Sequence, residues 1–213
     1  MPLLSLINSK HRFIEYVLAF NRINVDYLTS ADLYPISASG EFFVEVRIDT
    51  TRMSTGVEAI VGNGTNTGFP TSNQWLLQKQ SSGGLLFQYS GLSGFAYANF
   101  IADYPNQVVD VRAVWNDVGH YIFVNGIEKA AHTANQVRPS SPTIPLYVGA
   151  RGTGVQPSNI DLYGININDQ YIWEIQEGIG FPITSVLGGR VFTGQTSNAG
   201  QITYWNANVW KKI

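Results

Sequence analysis

Few side chains in this sequence stand where their spacing could do chemistry, and the carboxylates come nearest. Glu45-x-Arg47-x-Asp49 puts two acids on one face of an extended run. Alternate strand residues lie about 6.5 to 7 Å apart, so these two carboxylates are ~13 Å apart with a cation between them, beyond the roughly 9.5 Å upper end for an inverting glycosidase pair. Glycoside hydrolysis is therefore not expected, and the three residues read as a solvent-facing charged stripe. Glu174 and Glu177, three apart on an extended chain, face opposite sides. They read as a strand end before a turn supported by Gly178 and Gly180. His11, His120 and His132 show no His-Glu-x-x-His or other ligand spacing. With no cysteine there is no disulfide, no thiol nucleophile and no Cys-containing zinc site. Composition leaves a Ser/His/Asp triad open, but no Gly-x-Ser-x-Gly elbow is present. Gly62-Asn63-Gly64 and Gly149 to Gly154 are glycine-rich, yet neither opens a helix that could hold phosphate, and both read as loops.

The composition sets the frame for these residues. A chain of 213 residues fits one compact domain with a real core. Charged side chains make up only 13%, roughly half the usual share, whereas Ser, Thr, Asn and Gln supply 58 positions, so the surface is coated with neutral polar groups. A net charge of −2, with no basic cluster longer than Lys211-Lys212, gives nucleic acid no surface to follow. The start lacks a basic region and a hydrophobic signal core, and no apolar run approaches the ~18 residues that cross a bilayer. The expectation is a soluble protein without membrane insertion.

The elements that must position any site are strands. In Glu41 to Asp49, Phe42, Val44, Val46 and Ile48 share one face and Phe43, Glu45, Arg47 and Asp49 the other. Val109, Val111, Ala113 and Trp115 alternate in the same way. The chain turns at Asn116 to Gly119, and His120 to Val124 runs into Asn125-Gly126, a type I′ hairpin pair that returns as Ile127 to Ala131. Trp75 to Gln80 and Leu85 to Tyr89 flank a turn at Ser81-Ser82-Gly83-Gly84. Further strands fit Tyr16 to Asn21, Tyr27 to Thr29, Leu146 to Ala150, Ile160 to Ile167 and Tyr171 to Ile175. Gly62 to Asn73 and Asn135 to Pro145 read as surface loops. Many short strands separated by turn signals predict an all-β, two-sheet sandwich.

Three segments carry a family likeness. Tyr16 to Asn21 with Val25-Asp26-Tyr27-Leu28, then Gly40 to Val46, then Val111 to Gly126 with Leu146-Tyr147-Val148-Gly149 resemble concanavalin A-like lectin/glucanase domains of the laminin-G and pentraxin type. The likeness spans most of residues 16 to 175 and implies an antiparallel jelly-roll sandwich. Trp173-Glu174, Glu177-Gly178-Ile179-Gly180, Gly188-Gly189, Trp205 and Trp210 are similar to a tail found on such domains in bacteriophage structural proteins. That resemblance implies a non-enzymatic virion component, a capsid decoration protein, head fibre or tail part made in the host cytoplasm. It would contact other virion proteins and form a homo-oligomer. Met1 to Arg12 and the stretch after Glu177 lie outside the best-matched core, and either could be a docking arm; an edge strand serves the latter equally well. Many relatives of this type bind calcium through rim oxygens. Asn116, Asp117, Asn166, Asn168 and Asp169 could supply some, but separated pairs do not show the six or more ligands a hard cation needs. No metal or cofactor is assigned.

The alternative is a carbohydrate-binding module for host-surface glycans, because sugars are held by aromatic faces together with amide and carboxylate hydrogen bonds. Asn63, Asn66, Phe69, Trp75 and Arg151, at loop or strand-end positions, are the candidate sugar contacts. The same neutral, aromatic-rich surface also suits packing against neighbouring subunits, and composition does not separate the two.

Overall fold

A computed structural model describes residues 16–22, 27–33, 40–63, 75–89, 92–133, 145–151, 156–168, 170–174, 183–184, 191–196, 200–202 and 210–212. In chain order its strands are β1 (Tyr16–Ala19), β2 (Tyr27–Leu33), β3 (Phe42–Asp49), β4 (Glu58–Gly62), β5 (Trp75–Lys79), β6 (Leu85–Tyr89), β7 (Leu92–Tyr97) and β8 (Val108–Trp115). They continue with β9 (His120–Val124), β10 (Ile127–His132), β11 (Pro145–Val148), β12 (Asp161–Ile167), β13 (Gln170–Glu174), β14 (Ile183–Thr184), β15 (Val191–Thr196), β16 (Gly200–Ile202) and β17 (Trp210–Lys212). One helical turn, α1 (Phe100–Asp103), precedes β8. The first sheet runs β10-β9-β8-β3-β12-β1-β17, with β13 also on β12, and the second runs β14-β15-β2-β11-β4-β5-β6-β7, with β16 on β15.

Period-two alternation builds the interior. Phe42, Val44, Val46 and Ile48 of β3 meet Val109, Val111, Ala113 and Trp115 of β8 in one core cluster, closed from the second sheet by Ile60, Val61, Trp75, Leu77, Leu85, Phe87, Leu146 and Val148. Each large apolar side chain so buried contributes about 1.5 to 3 kcal/mol relative to exposure. Two of the register shifts between strands adjust this core pattern. On β12 the pairing passes from Leu162↔Ile48 to Gly164↔Arg47, so the extra residue Tyr163 lets Leu162 and Ile165 both reach the core. On β4 the step from Ala59↔Gln78 to Val61↔Leu77 does the same for Ile60 and Val61.

The two tight hairpins form as expected. Asn125 and Gly126 have φ of 51° and 77°, the positive values a type I′ turn requires at both centres. The Gln80 and Gly84 backbones bond across the second turn at 2.7 Å, with Gly83 at φ 84°. Other expectations need correction. β4 was not expected, because every residue in it is buried and a run buried on both sides does not alternate. Gly62 and Pro145, read as loop residues, are the last of β4 and the first of β11; proline fits a strand's first position, where its missing N–H is not needed. Beyond Glu177, β14 to β16 join the second sheet and β17 becomes the outer edge strand of the first, beside β1, which is the edge-strand reading of that stretch. Met1 to Arg12, Ile175 and Glu177 lie outside the described residues.

Candidate functional site

The core takes the inward residues of β5 and β6, which leaves their alternate residues on the outer face of the second sheet. Leu76 pairs with Gln88, and Gln78 with Leu86. β4 adds Ala59 opposite Gln78 and Gly62 opposite Leu76, and Tyr147 of β11 stands opposite Gly62. Tyr27 of β2 brings its ring to 6.0 Å from that of Tyr147. Burial, reinforced by Tyr147, raises the Tyr27 phenol above its usual pKa, so the Tyr27 ring stays neutral at physiological pH. This face is thus lined by neutral amides, two tyrosines and short apolar side chains. Gln78 is 5% exposed and Gln88 1%. Neither Gln78 Oε1 nor either amide atom of Gln88 makes a hydrogen bond within the protein. An unsatisfied buried polar group costs roughly 1 to 3 kcal/mol, so these amides are held at a cost to the fold.

The five residues proposed from sequence divide three ways. Asn63 and Trp75 meet, but as structure: Asn63 Oδ1 accepts from the Trp75 backbone N–H at 2.7 Å and the Asn63 N–H donates to the Trp75 carbonyl at 3.0 Å. Both are fully buried, and the Trp75 ring packs edge-on against Phe42 at 5.1 Å, so its face serves the core and not a sugar. Asn66 and Phe69 lie outside the described residues. Arg151 is 7% exposed. Its Nε and Nη2 make no hydrogen bond, and burial lowers its pKa with no neighbouring charge to offset the effect. Two backbone bonds and one side-chain bond seat this stretch beside β4: the Gly149 N–H donates to Ile60 O, the Ala59 N–H to Gln156 O, and the Ser158 hydroxyl to Ala59 O. Gln78, Gln88, Tyr27 and Tyr147 were not among the sequence candidates. The signal was present as parity: each glutamine sits one residue out of step with the core residues of its own strand.

The outer face of the first sheet is built differently. The expected solvent-facing stripe is corrected at Glu45, which is 5% exposed because β8 and β12 flank β3 on both sides. Arg112 Nη1 donates to Glu45 Oε1 at 2.8 Å, Arg112 Nη2 reaches Glu41 at 2.5 Å, and Asn166 Nδ2 donates to Glu45 Oε2 at 2.9 Å. The Arg112 guanidinium also lies 4.1 Å over the Phe43 ring, and Arg47 approaches Asp110 at 3.8 Å. Asp49 caps the next turn by accepting from the Thr51 N–H at 2.8 Å. At one end of the sandwich, buried Lys79 donates to the carbonyls of Ser54 (2.5 Å) and Gly56 (2.6 Å) and lies 3.6 Å from buried Glu58, while Arg52 pairs with buried Asp161. Desolvation lowers the Lys79 pKa, and Glu58 opposes that shift.

Two of the rim oxygens considered for calcium, those of Asn116 and Asn168, are engaged within the fold. Asn116 Oδ1 accepts from the N–H groups of Val118 and Gly119, and Asn168 Oδ1 from that of Phe43. Asp169 lies outside the described residues. No group of three or more His, Cys, Asp or Glu residues that could hold a metal is found among the described residues. The histidines gave no sequence spacing, yet His120 and His132 are cross-strand partners with rings 6.3 Å apart. His120 is fully buried against Phe87, and burial, with His132 adding to it, depresses its pKa to about 4.

No protein-family model matches the chain, and no curated protein sequence matches it. Its fold is similar to that of a candidate carbohydrate-binding protein from Bacteroides ovatus, with a TM-score of 0.61 and 15% identity over 89% of this chain and 62% of that one. It is also similar to domains LG4-5 of the mouse laminin alpha1 chain (TM-score 0.57, 14% identity, 87% of this chain and 47% of that one). A third likeness is to the heptameric SAP-like pentraxin of Limulus polyphemus (TM-score 0.53, 15% identity, 78% and 82%). The chain spans less than two thirds of the first two proteins. At these identities the likeness is one of fold, and the two antiparallel sheets form a concanavalin A-like jelly roll.

Proposed function

We propose that this protein binds carbohydrate without transforming it, through the outer face of the second sheet around Gln78, Gln88, Tyr27 and Tyr147. The observation that carries the reading is the pair of buried glutamines, in which Gln78 Oε1 and both amide atoms of Gln88 have no hydrogen-bond partner in the protein. A primary amide offers donor and acceptor side by side, the pattern that matches neighbouring sugar hydroxyls, and tyrosine rings supply apolar faces for the C–H side of a pyranose. A hydroxyl that displaces the packing over these amides recovers the free energy they cost the empty fold. The description of the Bacteroides ovatus neighbour as a candidate carbohydrate-binding protein supports the same class of ligand.

The non-catalytic part of the proposal rests on five carboxylates that are already engaged within the fold. Glu41 and Glu45 hold Arg112, Glu58 holds Lys79, Asp161 holds Arg52, and Asp49 caps a turn. The virion role rests on the sequence resemblance of the C-terminal stretch alone; none of the three neighbours is named as a phage protein, and the heptamer belongs to the pentraxin.

A polysaccharide panel, read by affinity with wild-type protein and Gln88→Leu, tests the proposal. Gln88→Leu is expected to weaken binding at least tenfold, about 1.4 kcal/mol, while its thermal midpoint holds or rises, because the change removes an unsatisfied amide from a buried site. Binding of no polysaccharide, or equal binding by the variant, would refute the assignment to this face.

A further inference from the structure

Five charged side chains are buried among the described residues: Glu45, Glu58, Lys79, Arg151 and Asp161. Four are answered by an opposite charge, Glu45 by Arg112, Glu58 and Lys79 by each other, and Asp161 by Arg52. Arg151 is the exception. Its Nε and Nη2 are both shielded from solvent and both without a hydrogen-bond partner. These two nitrogens carry the N–H bonds that point in parallel from one edge of the planar guanidinium, the edge that takes the two oxygens of a carboxylate side by side. Among the described residues, the fold pairs its other buried charges and leaves one buried cation, and on that cation the bidentate edge, without a counterion.

The surroundings suit a ligand that is otherwise neutral. Arg151 follows β11, two residues past Gly149, whose N–H is bonded to Ile60 O, and Ala59 stands opposite Gln78, whose Oε1 also lacks a partner. Gln156, whose carbonyl accepts from the Ala59 N–H, adds another amide oxygen, Oε1, without a partner. Burial is the cause of the lowered Arg151 pKa, and no neighbouring charge among the described residues contributes.

We propose that Arg151 is the anion-recognition point of the binding face and that the protein's ligands are acidic glycans, whose carboxylate, or an equivalent anionic ester, docks on the Nε/Nη2 edge while neutral hydroxyls meet the amides. This rests on the carbohydrate-binding reading and narrows it. Lysine would not replace the arginine, because an ammonium carries the charge without the paired parallel donors.

The test compares three probes on purified full-length protein: polyuronates (polygalacturonate, alginate and hyaluronan), the same polymers after carboxyl reduction to the neutral form, and dextran sulfate. Wild-type protein should bind a polyuronate at least tenfold more tightly than its reduced counterpart. Arg151→Gln should lose that preference and keep the weaker affinity for the reduced polymer, and Arg151→Lys should recover less than a third of the preference. Arg151-dependent binding of dextran sulfate instead of a polyuronate identifies the anionic group as an ester and sustains the proposal. Tighter binding of the reduced polymers, or an acid preference that survives Arg151→Gln, overturns it while leaving carbohydrate binding intact. A thermal-shift comparison of D-glucuronate with D-glucose gives a readout that needs no polymer: a rise with glucuronate alone, absent in Arg151→Gln, supports the docking edge, and equal responses count against it. If no polymer binds and glucuronate has no effect, both this inference and the carbohydrate reading fall.

Discussion

The outer faces of the two sheets are both substantially buried and both polar, yet they satisfy their polar groups in opposite ways. On the first sheet Arg112 bridges Glu41 and Glu45, Asn166 donates to Glu45, and Arg112 covers Phe43, while Asn166 Oδ1 and Asp110 Oδ1 make no hydrogen bond. On the second sheet Gln78 and Gln88 carry amide atoms with no partner, and Arg151 beside it holds a buried charge with none. Burial of polar groups alone is therefore a poor guide to function. The informative quantity is what remains unsatisfied after the protein has folded, since a completed network needs nothing further and an incomplete one gains from a ligand.

The largest expected effect tests the completed face. Arg112→Ala leaves Glu45 buried without its cation and is expected to cost about 4 kcal/mol in urea-induced unfolding. Most of that should return when Glu45 is also made apolar, as Glu45→Leu combined with Arg112→Met, because the pair itself contributes little beyond its own desolvation. A cost below about 1 kcal/mol for Arg112→Ala would mean that the first face is not held by its pairs.

An effect of about 3 kcal/mol is expected from acid. Burial depresses the folded-state pKa of His120 to about 4, below the usual 6.5 of an exposed imidazole. The unfolded chain therefore binds the proton first. The stability that comes from keeping His120 neutral is complete above pH 6.5 and is lost progressively as pH falls through the folded value near 4. Unfolding measured at pH 7 and pH 4.5 should show this slope in wild-type protein and a flatter one in His120→Phe; identical slopes would show that another group carries the acid sensitivity.

The smallest effect has the opposite sign. Arg151→Met removes a buried cation that has no partner to abandon, so it should stabilise the fold by about 1 to 2 kcal/mol, seen as a higher urea midpoint at unchanged slope. Arg112 and Arg151 are both substantially buried arginines, yet one substitution should weaken the protein and the other strengthen it. Destabilisation by Arg151→Met would erase the contrast between the faces.

How much of this was legible beforehand follows from what each residue's neighbours along the chain reveal. The β3 and β8 faces and the Asn125-Gly126 turn could be read directly, because alternation and positive φ are local properties. Glu45 was misjudged because its burial comes from Arg112 and Asn166, 67 and 121 residues away. The His120–His132 contact depends on one irregularity: pairing runs Ile127↔Val124 and Glu128↔Phe123, then shifts between Glu128 and Ala130, and only after that shift does His132 face His120. Nothing in the local sequence announces the shift. Among the site candidates Arg151 stands buried just past the end of its strand, a place local sequence does show, whereas the Trp75 ring lies in the core, which its residue type does not reveal. Gln78 and Gln88 are legible only through parity, which sets them one residue out of step with the core positions of their strands.

The reciprocal bonds between Asn63 and Trp75 have a consequence for variation and engineering. They tie together the end of one strand and the start of its antiparallel neighbour, the two points between which residues 64 to 74 are connected in sequence. The anchorage does not depend on what lies between. Doubling the length of such a connection adds only about 0.6 kcal/mol of closure entropy, so this is where foreign peptide can be spliced in and new specificity selected while the scaffold stays folded.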